Sequence, residues 1–378
     1  MSFYKNLKLK IKSNFPNLVR FLIKLRDNNF IIRVLKKPLI LSVTKKVHGK
    51  KIVNSEKGVL FDFSIDNYVS YTFRPKKSEN TIFNIETYDN SSTAIIIQGP
   101  LYGLENYVKE TLYFYTKIFN NVLIILSTWE DECSKSFIDN FKDHKNIKIL
   151  RNKKPKTIHN VNLQTASTIR ALEYAEGEKI DFCLKTRTDC RIYKKNAIFF
   201  LKNLLKCYPV NKKYNLLHRI ISCSIDTRKY RVYGLSDILL FSSTKNLIKY
   251  FNPNEFVNSL NEMGLGNYPC IKNETAIVNE IFLCARFLKE NNFEIDWTLE
   301  DWWNKCRELF CIVDANSIDF FWYKYDWKYE QRFNTNYTSN FEQSLQFSDW
   351  LCLYNNPDFI FDKQLKEKWR IKDGIIEQ

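Results

Sequence analysis

From Thr93 to about residue 190 short aliphatic runs alternate with segments of helical spacing, and few architectures accept that alternation. "TAIIIQ" (93–98) is an aliphatic run of buried-strand type, stopped by Gly99-Pro100. "NVLIILSTW" (121–129), "IKILRN" (147–152) and "IDFCLKTR" (180–187) repeat the pattern. Between them "YVKETLYFYTKIF", "SKSFIDNFK" and "NLQTASTIRALEYA" carry helical spacing, the last predicting Leu163, Ala166, Ile169 and Leu172 inward. Strand–helix alternation predicts an α/β fold with a mostly parallel sheet flanked by helices. Right-handed crossovers then bring the carboxyl ends of the strands to one edge.

The segments outside this region differ in character. Residues 1–51 carry 14 Lys/Arg against one acid, Asp27, so +13 of the chain's +16 formal charge sits in this arm. Within it "NFPNLVRFLIKLR" (14–26) places Leu18, Phe21, Leu22 and Leu25 on one stripe with Arg20 and Lys24 opposite. Two readings stand for this arm: an in-plane anchor on an anionic membrane surface, or a helix packed on the protein itself with solvated lysines. Residues 52–92 read as short strands and turns. Residues 93–290 form the α/β domain, and 291–378 an aromatic-rich, helical C-terminal subdomain.

Several function classes are disfavoured. With 9 glycines in 378 residues and neither GxGxxG nor GxxxxGK[ST], no glycine-rich phosphate loop is expected. Charge concentrated in an arm argues against nucleic acid as the partner of the folded domain. No apolar run reaches 18 residues and no secretory leader is evident, so a cytoplasmic protein, peripheral on the inner membrane, is expected. Ten scattered cysteines without a CxxC pair read as reduced thiols, and four unpaired histidines speak against zinc.

The sheet edge collects four strand tips: Gln98-Gly99-Pro100, Ser127-Thr128-Trp129, Arg151-Asn152 and Lys185-Thr186-Arg187-Thr188-Asp189. Ligands of open α/β sheets bind at such an edge. Amide, hydroxyl, aromatic, cationic and carboxylate groups together suit a nucleoside diphosphate. The triplet Arg187, Asp189, Arg191 has two readings. Asp189 holds a divalent cation on a diphosphate with the arginines as extra charge, or the arginines pair with Asp189 and lock a turn.

Six motifs in this order resemble the WavE family of lipopolysaccharide-synthesis proteins: "IIIQGPL", "ILSTW", "NLQTASTIRAL", "LKTRTDCRI", "LSDILLFS" and "NETAIVNEIFL". They span roughly residues 90–290. The arrangement is also similar to the nucleotide-sugar-binding half of GT-A glycosyltransferases, a Rossmann-like sheet. The resemblance implies that Gln98 and Gly99 border the donor pocket, with Thr128 beside them and Trp129 near the nucleobase. It places Asn162 and Gln164 on a helix facing the crevice. Lys185, Arg187 and Arg191 complete the donor set, and Asp189 takes the place of the last carboxylate of an acidic motif, the ligand for Mg²⁺ or Mn²⁺. Arg187 stands where the first acidic position would be, which puts the metal in question and offers a guanidinium in its place.

Glycosyl transfer needs a general base, and two downstream carboxylates are candidates. Asp237 sits where a turn enters a strand, and Glu274 follows a plausible N-cap, Asn273, at a helix start. Each also has a plain structural reading, as a turn former and as a first-turn acid. The tryptophans from Trp297 to Trp350 offer either an acceptor platform or an aromatic core. The expectation is a glycosyltransferase moving a sugar from a nucleotide-sugar donor to a bacterial surface glycan: lipopolysaccharide core, lipooligosaccharide or capsule. The alternatives are transfer of another nucleotide-activated group, such as alditol phosphate, and a non-enzymatic membrane-associated polyanion-binding protein.

Overall fold

The structure is a computed structural model. It describes residues 74–80, 90–156, 160–251, 279–323, 343–361 and 363, and the backbone of five short strands elsewhere. The basic arm 1–51 and Glu274 lie outside the described residues. The chain divides into two units, Met1–Lys76 and Lys77–Gln378. In the first, β1 (Val59–Phe61) pairs antiparallel with β2 (Tyr68–Ser70).

The second unit is built on a seven-stranded sheet. In chain order its strands are β3 (Thr93–Gln98), β4 (Leu123–Trp129), β5 (Ile147–Asn152), β6 (Phe182–Arg187), β8 (Ile220–Cys223), β9 (Leu240–Ser243) and β11 (Phe310–Val313), while β7 (Cys190–Ile192) and β10 (Cys270–Ile271) pair outside it. The spatial order is β11-β8-β9-β6-β3-β4-β5. Only β9 runs against its neighbours, so six of the seven strands point the same way. The expected α/β class, a mostly parallel sheet flanked by helices, is what the chain adopts. Every residue of β3 is buried, as a central strand covered on both faces requires, and its "AIII" run supplies the apolar contacts. β5, at the edge, alternates half-buried and exposed residues.

Helices α1 (Glu105–Ile118), α2 (Lys135–Asp139) and α3 (Val161–Gly177) connect the first four strands, α4 (Ala197–Cys207) follows β6, and α5 (Thr244–Phe251) follows β9. α1 buries Val108, Leu112, Phe114 and Tyr115. α3 packs on β3 and β4, and of the stripe read from its sequence only Leu172 is buried as expected. Leu163, Ala166 and Ile169 are only half-buried, whereas Asn162, Thr165, Thr168, Ala171, Leu172 and Ala175 are buried. The first turns of this helix lie at the carboxyl edge, where polar groups occupy the covered side.

The C-terminal region does not stand apart as expected. β11 pairs in parallel register with β8, Phe310 beside Ile220, and so extends the main sheet. β12 (Phe320–Trp322) pairs antiparallel with β7 (Cys190–Ile192), directly behind the β6 tip. Trp302 and Trp303 of α7 (Leu299–Leu309) and Trp350 of α8 (Phe347–Asn355) are buried, with their indole N–H groups donating to main-chain carbonyls. These rings are core, anchored as buried tryptophans must be. Among the described residues the cysteines are free thiols, and no helix is long and apolar enough to cross a membrane.

Three strand tips meet closely at the carboxyl edge. Thr188 N–H donates to the Gln98 carbonyl (3.0 Å), and Gly99 N–H to the Ser127 carbonyl (3.1 Å). Gly99 has φ +133°, and a Cβ there would stand 2.7 Å from Thr188 Oγ1. Both features demand glycine. Gly99→Ala is expected to destabilise the protein by about 1–3 kcal/mol, read as a lower urea midpoint at unchanged slope. An unchanged midpoint would contradict the close β3–β6 approach.

Candidate active site at the carboxyl edge of the sheet

Strand β6 supplies a charged ladder. Side chains two apart on a strand share a face, so Lys185 and Arg187 point the same way, and Gln98 and Ser127 lie in register with Arg187. Lys185 is fully buried; its ammonium donates to the Asp237 main-chain oxygen (2.5 Å) and to Asp237 Oδ2 (3.1 Å). Burial pulls the Lys185 ammonium below its ordinary value; Asp237 opposes that shift and Arg187 adds to it.

Arg187 and Asp189 form a two-pronged pair. Arg187 Nε donates to Asp189 Oδ1 (2.9 Å) and Nη2 to Oδ2 (3.1 Å). Trp322 Nε1 donates to Oδ2 (3.0 Å), and Cys190 Sγ lies 3.6 Å from Oδ1. The pair is asymmetric in exposure: the Arg187 side chain is 31% exposed and that of Asp189 6%. Burial opposes the Arg187 charge, but the Asp189 carboxylate outweighs it and raises the guanidinium above its ordinary range.

The loop joining β8 to β9, residues 224–239, closes the same edge. It is packed and tied down: Thr227 Oγ1 donates to the Cys223 carbonyl, and Ser222 Oγ to the Ser236 carbonyl. Trp302 and Trp303 donate to the carbonyls of Arg228 and Lys229. Asp226 and Tyr233 sit at φ +60° and +51°, and for a residue as bulky as Tyr233 that conformation is strained. Tyr233 is held there by its hydroxyl, which donates to Asp301 Oδ2 (2.5 Å) and accepts from Trp297 N–H (3.1 Å). The loop ends in Asp237, which is buried.

Beside Asp237 the structure brings a carboxylate that the sequence did not single out. Glu280 lies in the first turn of α6 (Asn279–Glu290) and is partly exposed. Its carboxyl is pushed up to about 7, first by burial and then by the negative charge of Asp237. The only sequence signal was its membership of the "NETAIVNEIFL" motif, where Glu274 drew attention instead.

The other expected donor residues are distributed as follows. Gln98 is buried with its side-chain carbonyl unpartnered, and the hydroxyls of Thr128 and Thr186 are likewise buried and unpartnered. Trp129 is 3% exposed, so it presents no open ring face for stacking. Asn162 Nδ2 donates to the Lys156 carbonyl (2.7 Å), bracing the loop before α3, and the Gln164 amide nitrogen is buried without a partner. Arg191 does not join the edge. It is fully buried against α1, donating to Thr111 Oγ1 and the Tyr107 carbonyl (both 2.9 Å), with its guanidinium 4.3 Å from the Tyr107 ring centre. Strand β7 turns it to the helix side, which rules it out as a counter-charge in the crevice.

A divalent cation fits the described residues poorly. No three His, Cys, Asp or Glu side chains gather among them, and both Asp189 oxygens already accept hydrogen bonds.

No family model matches the chain, and no curated protein matches it in sequence. Solved structures do match. HddC from Yersinia pseudotuberculosis is 10% identical over 47% of this chain and 86% of its own, with a TM-score of 0.28. An active-site mutant of LgtC is 10% identical over 59% of this chain and 73% of its own, with a TM-score of 0.31. A cytidylyltransferase from Leptospira borgpetersenii is 13% identical over 75% of this chain and 100% of its own, with a TM-score of 0.33.

The raised Glu280 carboxyl makes stability depend on pH. The folded protein holds this proton where the unfolded chain, with an ordinary value of 4.5, has lost it. Its contribution is therefore fully present below about pH 4.5 and is lost as pH rises through about 7. Glu280→Gln is expected to flatten this fall, gaining about 1–3 kcal/mol on wild type between pH 5 and 8. Urea denaturation at both pH values checks it, and parallel curves for the two proteins would contradict it.

Proposed function

We propose that the chain is a transferase of nucleotide-activated groups and, more finely, a GT-A-type glycosyltransferase acting on a bacterial surface glycan. The observation that carries the reading is the set of charges around Asp237: it pairs with Lys185 on the strand that also carries the partly exposed Arg187, and its negative charge adds to burial in raising the Glu280 carboxyl. A charge stabiliser and a proton acceptor at the carboxyl edge of a mostly parallel sheet are what group transfer from a nucleoside diphosphate needs.

In this reading Arg187 offsets the charge that builds on the diphosphate as its bond to the sugar breaks. Glu280 takes the proton of the acceptor hydroxyl as that oxygen bonds to the anomeric carbon, and the nucleoside diphosphate leaves with the electron pair of the broken bond. Asp237 is too deeply buried and too tightly held by Lys185 to meet an acceptor; its charge keeps Glu280 basic. Gln98, with its unpartnered buried carbonyl, has acceptor capacity for a donor hydroxyl or amino group. The six sequence motifs shared with the WavE family support a lipopolysaccharide, lipooligosaccharide or capsule acceptor. The +13 charge of residues 1–51 supports attachment to an anionic membrane surface from the cytoplasmic side.

A panel of UDP-, GDP-, CMP- and CDP-linked sugars, with CDP-linked alditols included, tests the reading through release of the nucleotide. Hydrolysis of one nucleotide sugar is expected, with Glu280→Gln lowering kcat about 10²–10⁴-fold at little change in KM. Turnover of a CDP-alditol alone would move the chain to the phosphoalditol transferases. Full turnover by Glu280→Gln would remove Glu280 as the base.

A further inference from the structure

The Arg187–Asp189–Trp322 arrangement bears on how a diphosphate is held, a question that rests on the nucleotide-transfer reading but is separable from it. An ionised carboxylate has about four acceptor positions. On Asp189 four donors face them: Arg187 Nε and Cys190 Sγ at Oδ1, Arg187 Nη2 and Trp322 Nε1 at Oδ2. A cation would have to displace a two-pronged guanidinium and an indole N–H, at a buried position where an unpaired arginine is costly. The main chain at Asp189 is tied down as well. Its carbonyl accepts from Tyr323 N–H (2.9 Å), and the next residue is paired with Trp322 in the β7–β12 ladder.

Arg187 is the outward half of that pair. Nε and Nη2 are spent on Asp189, while no described residue takes the hydrogens of Nη1. The guanidinium also lies over the Trp322 ring, 5.7 Å from its centre. It is fixed from below by one residue that supplies both a ring face and an N–H to its partner. A planar donor so held presents charge without further ordering, as recognition of phosphate oxygens favours.

We infer that Arg187, oriented by Asp189 and Trp322, holds the diphosphate in place of a divalent metal ion. Asp189 and Trp322 are positioning residues, since neither reaches the ligand. Lys185 stands behind on the same strand face, and its charge is absorbed by Asp237, which leaves Arg187 as the cation of β6 that faces outward.

Calorimetric titration of the full-length protein with inorganic pyrophosphate and with UDP, GDP and CDP, in EDTA and then in Mn²⁺, tests this without requiring turnover. Pyrophosphate and one nucleotide are expected to bind in EDTA with affinity within about twofold of that in Mn²⁺. Arg187→Gln is expected to weaken both by about 10–100-fold. Trp322→Phe removes the indole N–H and leaves a smaller aromatic ring, and is expected to weaken binding by several-fold, at a lower melting temperature but with unfolding still cooperative. Binding that vanishes in EDTA overturns the inference, as does an Arg187→Gln protein that binds pyrophosphate like wild type. EDTA-resistant binding with no sugar released from any donor would leave this anion site standing and overturn the transfer reading instead.

Discussion

A buried ion pair fixes the site. Lys185 lies in the middle of β6 with no exposure, and its ammonium grips both the main-chain and side-chain oxygens of Asp237. Two desolvated charges are tolerated only with such a partner, and removing one typically costs about 3–5 kcal/mol. The contact joins the strand to the 16-residue loop 224–239, adding a charged anchor to the hydrogen bonds that already hold it. Through it the position of Asp237, and with it the proton affinity of Glu280, is tied to the strand that also carries Arg187.

The rest of the edge is arranged around that pair. Period two along β6 sets Lys185 and Arg187 on one face, and the turn that follows brings Asp189 back onto Arg187: one cation is neutralised inside, and the next is held by a carboxylate behind it. The aromatic residues of the C-terminal region act from outside the row. Trp322 fixes Asp189, and Trp302 and Trp303 fix the main chain of the loop that ends in Asp237. Strain at Tyr233 is held by a hydroxyl bonded on both sides. Buried side-chain oxygens without a partner occur at this edge on Gln98, Thr128 and Thr186, and elsewhere in the sheet as well, as on Thr93.

The strands were legible in the sequence because a buried parallel strand has a strong signature, a continuous aliphatic run stopped by turn residues. The tips were legible as a consequence, including Gly99 and the ladder from Lys185 to Asp189. What failed did so for physical reasons. Arg191 stands two residues after Asp189, as Arg187 stands two before it, but β7 pairs with β12 and delivers its side chain to Tyr107 and Thr111 on α1. Sequence spacing does not record that change of strand. Hydrophobic spacing does not mark the buried side of α3 near the edge, where the buried residues include Asn162, Thr165 and Thr168. Glu280 was passed over because its distinction is electrostatic, arising from Asp237 some forty residues away. The tryptophans after 297 could be read either as platform or as core, and only their indole hydrogen bonds decide for core at Trp302, Trp303 and Trp350.

In the proposed function nucleotide binds at one edge, where β3, β6 and the 224–239 loop meet. Hydrogen-exchange mass spectrometry of the full chain, with and without a saturating nucleoside diphosphate, reads this directly. The account predicts slowed exchange in peptides covering residues 98–103, 185–191 and 224–239, and little change along the outer strand β5. Protection centred instead on the cavity lined by Leu150, Arg170, Glu173 and Tyr174, or spread evenly over the sheet, would contradict it.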